Sequence, residues 1–236
     1  MGVTFRPSCG AVAGWSWDCS GPKPTKASDD ASEVVSVDPV TLVAAPPDCV
    51  GMEFDDAVAE ARALLLVGAS QALESELWTG TALPGQPHLA SADAEVLAGG
   101  SPVSAHYALA ALGQYLASCG NGARGMIHAT PLLVEMWSDW LVEDGDVLRT
   151  RTRGDIVVAG SGYAGTSPAG AAPATGQNWA YATSTVEVRL GDAVVVPDTE
   201  AEALDRKSNR LAVYAEQEAV AYFGNCCHAG ILAEFS

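Results

Sequence analysis

The chain has 236 residues and a formal net charge of −17, with only 12 Lys and Arg against 29 Asp and Glu. That balance argues against binding nucleic acid along a basic groove, because neutralising phosphates needs clustered cations. A hydrophobic content of 48% fits a globular protein, and the sequence lacks the run of about 18 apolar residues that would span a membrane.

Residues 1–33 read as an arm. The stretch MGVTFRPSCGAVAGW has no charged region followed by a continuous apolar core, so no signal peptide is expected. KPTKASDDAS is a polar spacer. Phe5, Trp15 and Trp17 do not suit a plain linker, because exposed Trp invites association. The arm is expected to pack, either over its own core or along a neighbouring subunit.

Residues 34–50 read as extended. Val35, Val37, Val40, Leu42 and Val43 favour strands, with Pro39 marking an edge or a break and Pro46-Pro47 closing the stretch. A long helix is then predicted from Phe54, ending at Thr79-Gly80. Asp55 and Asp56 suit its start, Gly80 suits a left-handed C′ position, and Phe54, Val58, Ala61, Leu65, Ala69 and Ala72 form a stripe of helical period. Leu64, Leu66, Val67, Leu73 and Leu77 widen the stripe, so cover on more than one side is expected. Gly68 is a candidate kink or point of close approach by a neighbour.

An irregular loop follows, with a short strand or turn near Glu95–Leu97. A second helix is predicted over Ser104–Ser118, and Gly120-Asn121-Gly122 ends it. Gly125–Ala129 reads as a buried strand, Thr130 as the cap of a third helix and Pro131 as its first residue. That helix carries Leu132, Leu133, Met136, Trp137, Trp140 and Leu141. Glu143-Asp144-Gly145-Asp146 is a turn, and Leu148–Arg153 with Ile156–Ala159 suggests a hairpin. Gly160–Gln177 is rich in Gly, Pro and Ala and reads as a long surface loop. Three strands are expected at Trp179–Thr183, Val186–Leu190 and Ala193–Pro197. TEAEALDRKSN reads as a short helix or an outer turn. Asn209–Gly224 is read as a strand against a competing helix, and Cys226–Phe235 as a last strand.

The candidate chemistry is thin. His88, His106, His128 and His228 have no HxxxH or CxxC spacing for zinc, and His128 reads as a core histidine. Cys226-Cys227-His228 would not chelate well, since neighbours on a strand point to opposite faces. The six cysteines Cys9, Cys19, Cys49, Cys119, Cys226 and Cys227 do not have the spacing of a small disulfide scaffold, and reduced thiols are expected. Glu74 and Glu76 face different ways on a helix, and Glu216 and Glu218 share a strand face. GSGYAG is neither a nucleophile elbow nor a phosphate loop. No catalytic, cofactor-binding or metal-ligating residue is therefore assigned, and no cofactor is expected.

The order of these features resembles the HK97-like major capsid fold of tailed phages, shared with encapsulins. Glu76-Leu77-Trp78-Thr79-Gly80-Thr81 is similar to the apolar Thr-Gly signature that ends the family's spine helix. Ser104–Ser118, Gly125–Ala129 and Leu132–Leu141 match the two helices and central sheet of its axial domain. Val186–Pro197, Asp205-Arg206 and Val213–Leu232 match its β-rich return. GMIHATPLL and LWTG also look like structural proteins of actinobacterial phages. Two departures stand out: Val34–Val50 leaves room only for a short extended hairpin, and the chain is shorter than most such subunits.

The resemblance implies an α+β fold in four parts: an arm at 1–33; a short extended loop, spine helix and peripheral segment at 34–100; an axial domain at 101–178; and a β-rich return to the peripheral domain at 179–236. It implies a non-enzymatic shell protein, self-assembling through pentamers and hexamers into the icosahedral head around the double-stranded DNA of a tailed phage. Decoration, scaffolding or portal proteins would be further partners. Contact with packaged DNA would be non-specific, with no membrane, and the protein would sit in the virion after assembly in the host cytoplasm. The alternatives are an encapsulin-like cargo shell, a connector or tail component, and, from another class, a small α+β enzyme or ligand-binding domain.

Overall fold

The computed structural model describes residues 3–5, 35–46, 52–83, 85–120, 123–205, 210–224 and 227–235. Trp15, Trp17, Pro47, Asn121, Gly122, Arg206 and Cys226 lie outside them, as do Cys9, Cys19 and Cys49.

Two short strands, β1 (Val3–Phe5) and β2 (Val35–Val37), pair antiparallel. Pro39 separates β2 from β3 (Val40–Ala44). The first helix, α1 (Phe54–Thr79), has 26 residues and is about 39 Å long at 1.5 Å per residue. Asp55 and Asp56 sit in its first turn, where negative charge meets the unpaired N–H groups. Gly80 ends it at φ 61°, and its N–H donates to the Glu76 carbonyl at 2.8 Å. A Cβ there would also strike the His88 ring. The helix runs unbroken through Gly68, and a Cβ there would meet nothing within 4 Å, so no close neighbour accounts for that glycine.

β4 (Glu95–Val96) and β5 (Val103–Ser104) flank a 3-10 turn. They lead into α2 (Ala105–Cys119), whose N-cap Ser104 accepts from the Tyr107 N–H at 3.3 Å. β6 (Met126–Ala129) precedes α3 (Pro131–Met136). Thr130 holds the N-cap position, but its hydroxyl accepts from Asn178 Nδ2 at 3.0 Å instead of capping the helix. The third helix is also shorter than its apolar stripe predicts. A 3-10 turn at Ser138–Trp140 breaks it, and Leu141 opens β7 (Leu141–Asp144).

β8 (Val147–Thr150) and β9 (Ile156–Ala159) complete a three-stranded meander with β7. After the glycine-rich loop come β10 (Gln177–Thr183), β11 (Val186–Leu190) and β12 (Val194–Val196). One helical turn, α4 (Glu200–Ala203), precedes the paired β13 (Leu204–Asp205) and β14 (Arg210–Leu211). β15 (Tyr214–Phe223) is a strand, which decides against a helix over Asn209–Gly224, and β16 (His228–Glu234) ends the chain.

The strands build two main sheets. The larger has the order β4-β16-β10-β6-β9-β8-β7, with β5 also on β16. In the smaller, β15 is central, with β3 on one side and β11 then β12 along the other. Helix α1 crosses the smaller sheet and buries Ala57, Ala61 and Leu65 against Leu42, Val213, Ala215 and Ala219. Helix α2 lays Ala108, Leu112 and Leu116 on the larger sheet. β10 has buried residues on both faces. Ala180 and Ala182 turn toward α2, while Trp179 and Tyr181 turn toward the end of α1. Small residues under a helix and large ones in an open joint are what the alternation of a strand permits. The expectation that α1 is covered on more than one side holds toward its C-terminal end, where Leu73 and Leu77 pack into two different cores, and fails at Leu66 and Val67. Leu66 is 82% exposed and Val67 83%.

Candidate functional site

The joint between the two sheets holds most of the molecule's buried aromatic rings. The last turn of α1 buries Leu77 and Trp78 beside Leu89, Tyr163, Trp179, Tyr181 and Phe223. Trp78 is fully buried, and its indole N–H donates to Thr166 Oγ1 at 2.9 Å. Tyr181 stands edge-on to Trp78 and donates its hydroxyl proton to the Thr166 carbonyl at 2.9 Å. The glycine-rich loop is therefore more than a surface loop: it closes the joint. Its approach to α1 needs Gly162, where a Cβ would run into the Gln71 carbonyl, and the Gly162 N–H donates to Glu74 Oε2 at 2.9 Å. Glu76 faces elsewhere, accepting from the Ala82 and Leu83 N–H groups at 2.9 and 3.0 Å. Both carboxylates hold loops to the helix.

His128 on β6 lies in the floor of this joint and is 1% exposed. Thr183 donates its hydroxyl proton to the Ser184 carbonyl at 2.7 Å, so its oxygen accepts from His128 Nε2–H at 2.9 Å. Nδ1 then accepts from the Tyr163 hydroxyl at 3.0 Å. The imidazole is neutral with both nitrogens committed. Burial, and to a lesser degree the nearby His228, lowers its pKa to about 3. Burial raises the Tyr163 pKa, and the Glu74 charge adds to that rise. Burial raises Tyr181 as well. These groups form a closed structural network; the lone pair a general base would need is already occupied. A mainly apolar cavity of about 280 Å³ lies alongside, lined by Leu73, Leu77, Val158, Val188 and Leu190 as well as His128 and Tyr163.

The other histidines scatter. His228 donates Nε2–H to the Leu89 carbonyl at 2.8 Å, and burial lowers its pKa. His88 and His228 line one polar cleft, with Asp93, Glu95 and Tyr115. His106 stacks on Trp140 on the outer side of α2, with ring centroids 4.3 Å apart. Among the described residues, no three His, Cys, Asp or Glu side chains converge to hold a metal ion.

Two features escaped the sequence. Asp155 is fully buried, paired with Arg153 Nε at 2.9 Å and accepting the Gly125 N–H at 3.0 Å. The reduced state expected for the cysteines is corrected at one pair: Cys119 and Cys227 form a disulfide between the end of α2 and the start of β16, with Cα atoms 5.6 Å apart. Their sequence separation of 108 hides that proximity. Tyr163 had a usable signal, as a lone aromatic in a loop of Gly and Ala.

Neither a family model nor a curated protein matches the chain. Solved structures do. The capsid of an empty GTA particle aligns over 99% of this chain and 84% of its own, at 13% identity and TM-score 0.55. The fold is HK97-like. A chain from Gordonia phage Cozz aligns over 99% of this chain and 80% of its own, at 12% identity and TM-score 0.51. An encapsulin complex from Synechococcus elongatus is also similar, over 86% and 75% of the two chains, at 14% identity and TM-score 0.48. In this HK97-like chain, the tryptophan-threonine-glycine end of α1 is the point where both sheets and the glycine-rich loop meet.

Proposed function

We propose that this chain is a structural shell protein that self-assembles into the icosahedral head around the double-stranded DNA of a tailed phage. The observation that carries the reading is the fold likeness to a capsid chain over nearly the whole length, long helix included. The free subunit also exposes Leu66 and Val67 on α1 and Val188, Leu190, Val194 and Val196 along one strand edge of the smaller sheet. Apolar surface of that extent suits burial against neighbours. In this reading, residues 1–33 are an arm, 34–100 the spine and peripheral segment, 101–178 the axial domain and 179–236 the return. The protein would act without catalysis, in the virion.

The test is light scattering and negative-stain imaging of the purified full chain, followed by assay of nuclease-protected DNA. Closed particles of megadalton mass support the shell. Protected DNA in particles from infected cells supports the phage head, whereas shells filled with protein cargo favour an encapsulin. A species that stays monomeric or dimeric at high concentration overturns the shell reading.

A further inference from the structure

For a chain of net charge −17, the cations are placed unevenly. Among the described residues, Arg124, Arg149, Arg151 and Arg153 cluster around the Thr150–Asp155 turn, while Arg62, Arg189 and Arg210 lie elsewhere. The turn forms one wall of a groove of about 360 Å³. Ala110, Gly113 and Ala117 of α2 line its opposite side, and the stacked His106 and Trp140 close one end. Arg149 is paired with Asp144 and Arg153 with Asp155. Arg151 is exposed and donates Nε–H to the Leu141 carbonyl at 3.1 Å. Neither Arg151 nor the exposed Arg124 has a carboxylate partner among the described residues.

The complement lies at the other end of the same hairpin. The β7–β8 turn exposes Glu143, Asp144 and Asp146, and neither Glu143 nor Asp146 has a cationic partner among the described residues. The ladder from Leu141↔Thr150 to Asp144↔Val147 sets the end of the acidic tip about 10 Å from the groove at 3.3 Å per residue. Within the chain only Asp144 of the tip meets the arginine cluster, through Arg149, and Glu143 and Asp146 are left for a second copy.

We infer that the acidic β7–β8 tip of one copy docks in the arginine-rimmed groove of the next. The contact is heterologous, with different surfaces meeting on the two copies, so its repetition gives a ring where the rotation between copies closes. Copies of so acidic a chain repel at long range, and a local match of opposite sign sets the docking register against that repulsion. Arg151 supplies the charge, and the His106–Trp140 stack supplies a rigid apolar wall of the kind found at interface centres. The inference rests on the shell reading and names one contact that builds it.

Four full-length proteins test it by sedimentation velocity and negative-stain imaging: wild type, Arg151→Glu, Glu143→Arg/Asp146→Arg, and the three changes combined. Each reversal alone is expected to raise the concentration needed for assembly about tenfold or more, equivalent to about 1.4 kcal/mol. The combination should return it close to wild type. Wild-type particles with both reversals assembling normally overturn the docking contact and leave the shell reading standing. Folded reversals that fail to assemble, with no recovery on combination, overturn the pairing. A wild type that stays small overturns both. Should a reversal unfold, Arg151→Gln and Glu143→Gln/Asp146→Gln, which keep the side-chain size, carry the same comparison with smaller shifts.

Discussion

Trp78 and Thr166 are 88 residues apart and joined by an indole N–H to hydroxyl hydrogen bond of 2.9 Å. Because Trp78 is fully buried, the bond and the packing separate by substitution. Trp78→Phe keeps most of the ring and loses the donor, and should cost about 1–2 kcal/mol. Trp78→Ala opens a cavity at the joint and should cost about 3–5 kcal/mol. Urea midpoints of the unassembled subunit measure both, and equal costs would show that the hydrogen bond dominates.

Acidification should loosen the joint through His128. Its folded pKa is about 3, below the ordinary 6.5 of an unfolded histidine. Between those values the unfolded chain binds a proton that the folded chain refuses. Stability is therefore full above pH 6.5 and falls as the pH drops toward 3, by up to about 1.4 kcal/mol per pH unit from this residue. The lowered pKa of His228 acts in the same direction. His128→Asn should flatten the slope of stability between about pH 4 and 6, whatever it does to the absolute value. An unchanged slope removes His128 as its source.

The Cys119–Cys227 bond closes a loop of 108 residues, for which chain-entropy arguments give about 4–5 kcal/mol. Both thiols should resist alkylation in the native oxidised protein and react after reduction, as peptide mass mapping would show. Cys119→Ser should lower the urea midpoint to that of the reduced wild type. Free labelling of both thiols without reductant would refute the bond.

Two arginine-carboxylate pairs should differ sharply in worth. Asp155 is fully buried, so Arg153→Ala leaves a buried carboxylate with one backbone donor and should cost about 3 kcal/mol or more. The Asp144 side chain is 66% exposed, so Arg149→Ala should cost no more than about 1 kcal/mol through that pair. Thermal unfolding of the two variants gives the order directly, and a reversed order would show that Asp155 finds another partner.

Much of this architecture is written in local signals. Asp55, Asp56 and Gly80 frame α1, Ser104 caps α2, and alternation marks β10, β11, β15 and β16. Caps, left-handed glycines and side-chain periods act over a few residues, so they can be read from a single stretch of chain. Where they compete, the reading fails. Leu141 continues the apolar stripe of α3 but opens β7, because pairing with Thr150 outweighs one more helical turn.

The sequence by itself determined an acidic α+β chain with one long capped helix, a second amphipathic helix and a β-rich end. It could not say which faces are covered, since Leu66 and Val67 read as core yet lie exposed. Only the tertiary structure set β16 beside β10 and closed Cys119 on Cys227. It alone also folded the glycine-rich loop onto Trp78 and put Asp155 under Arg153. Most of these relationships join residues far apart in the chain, where partners are chosen by the closing of the whole chain around its core and leave no local trace.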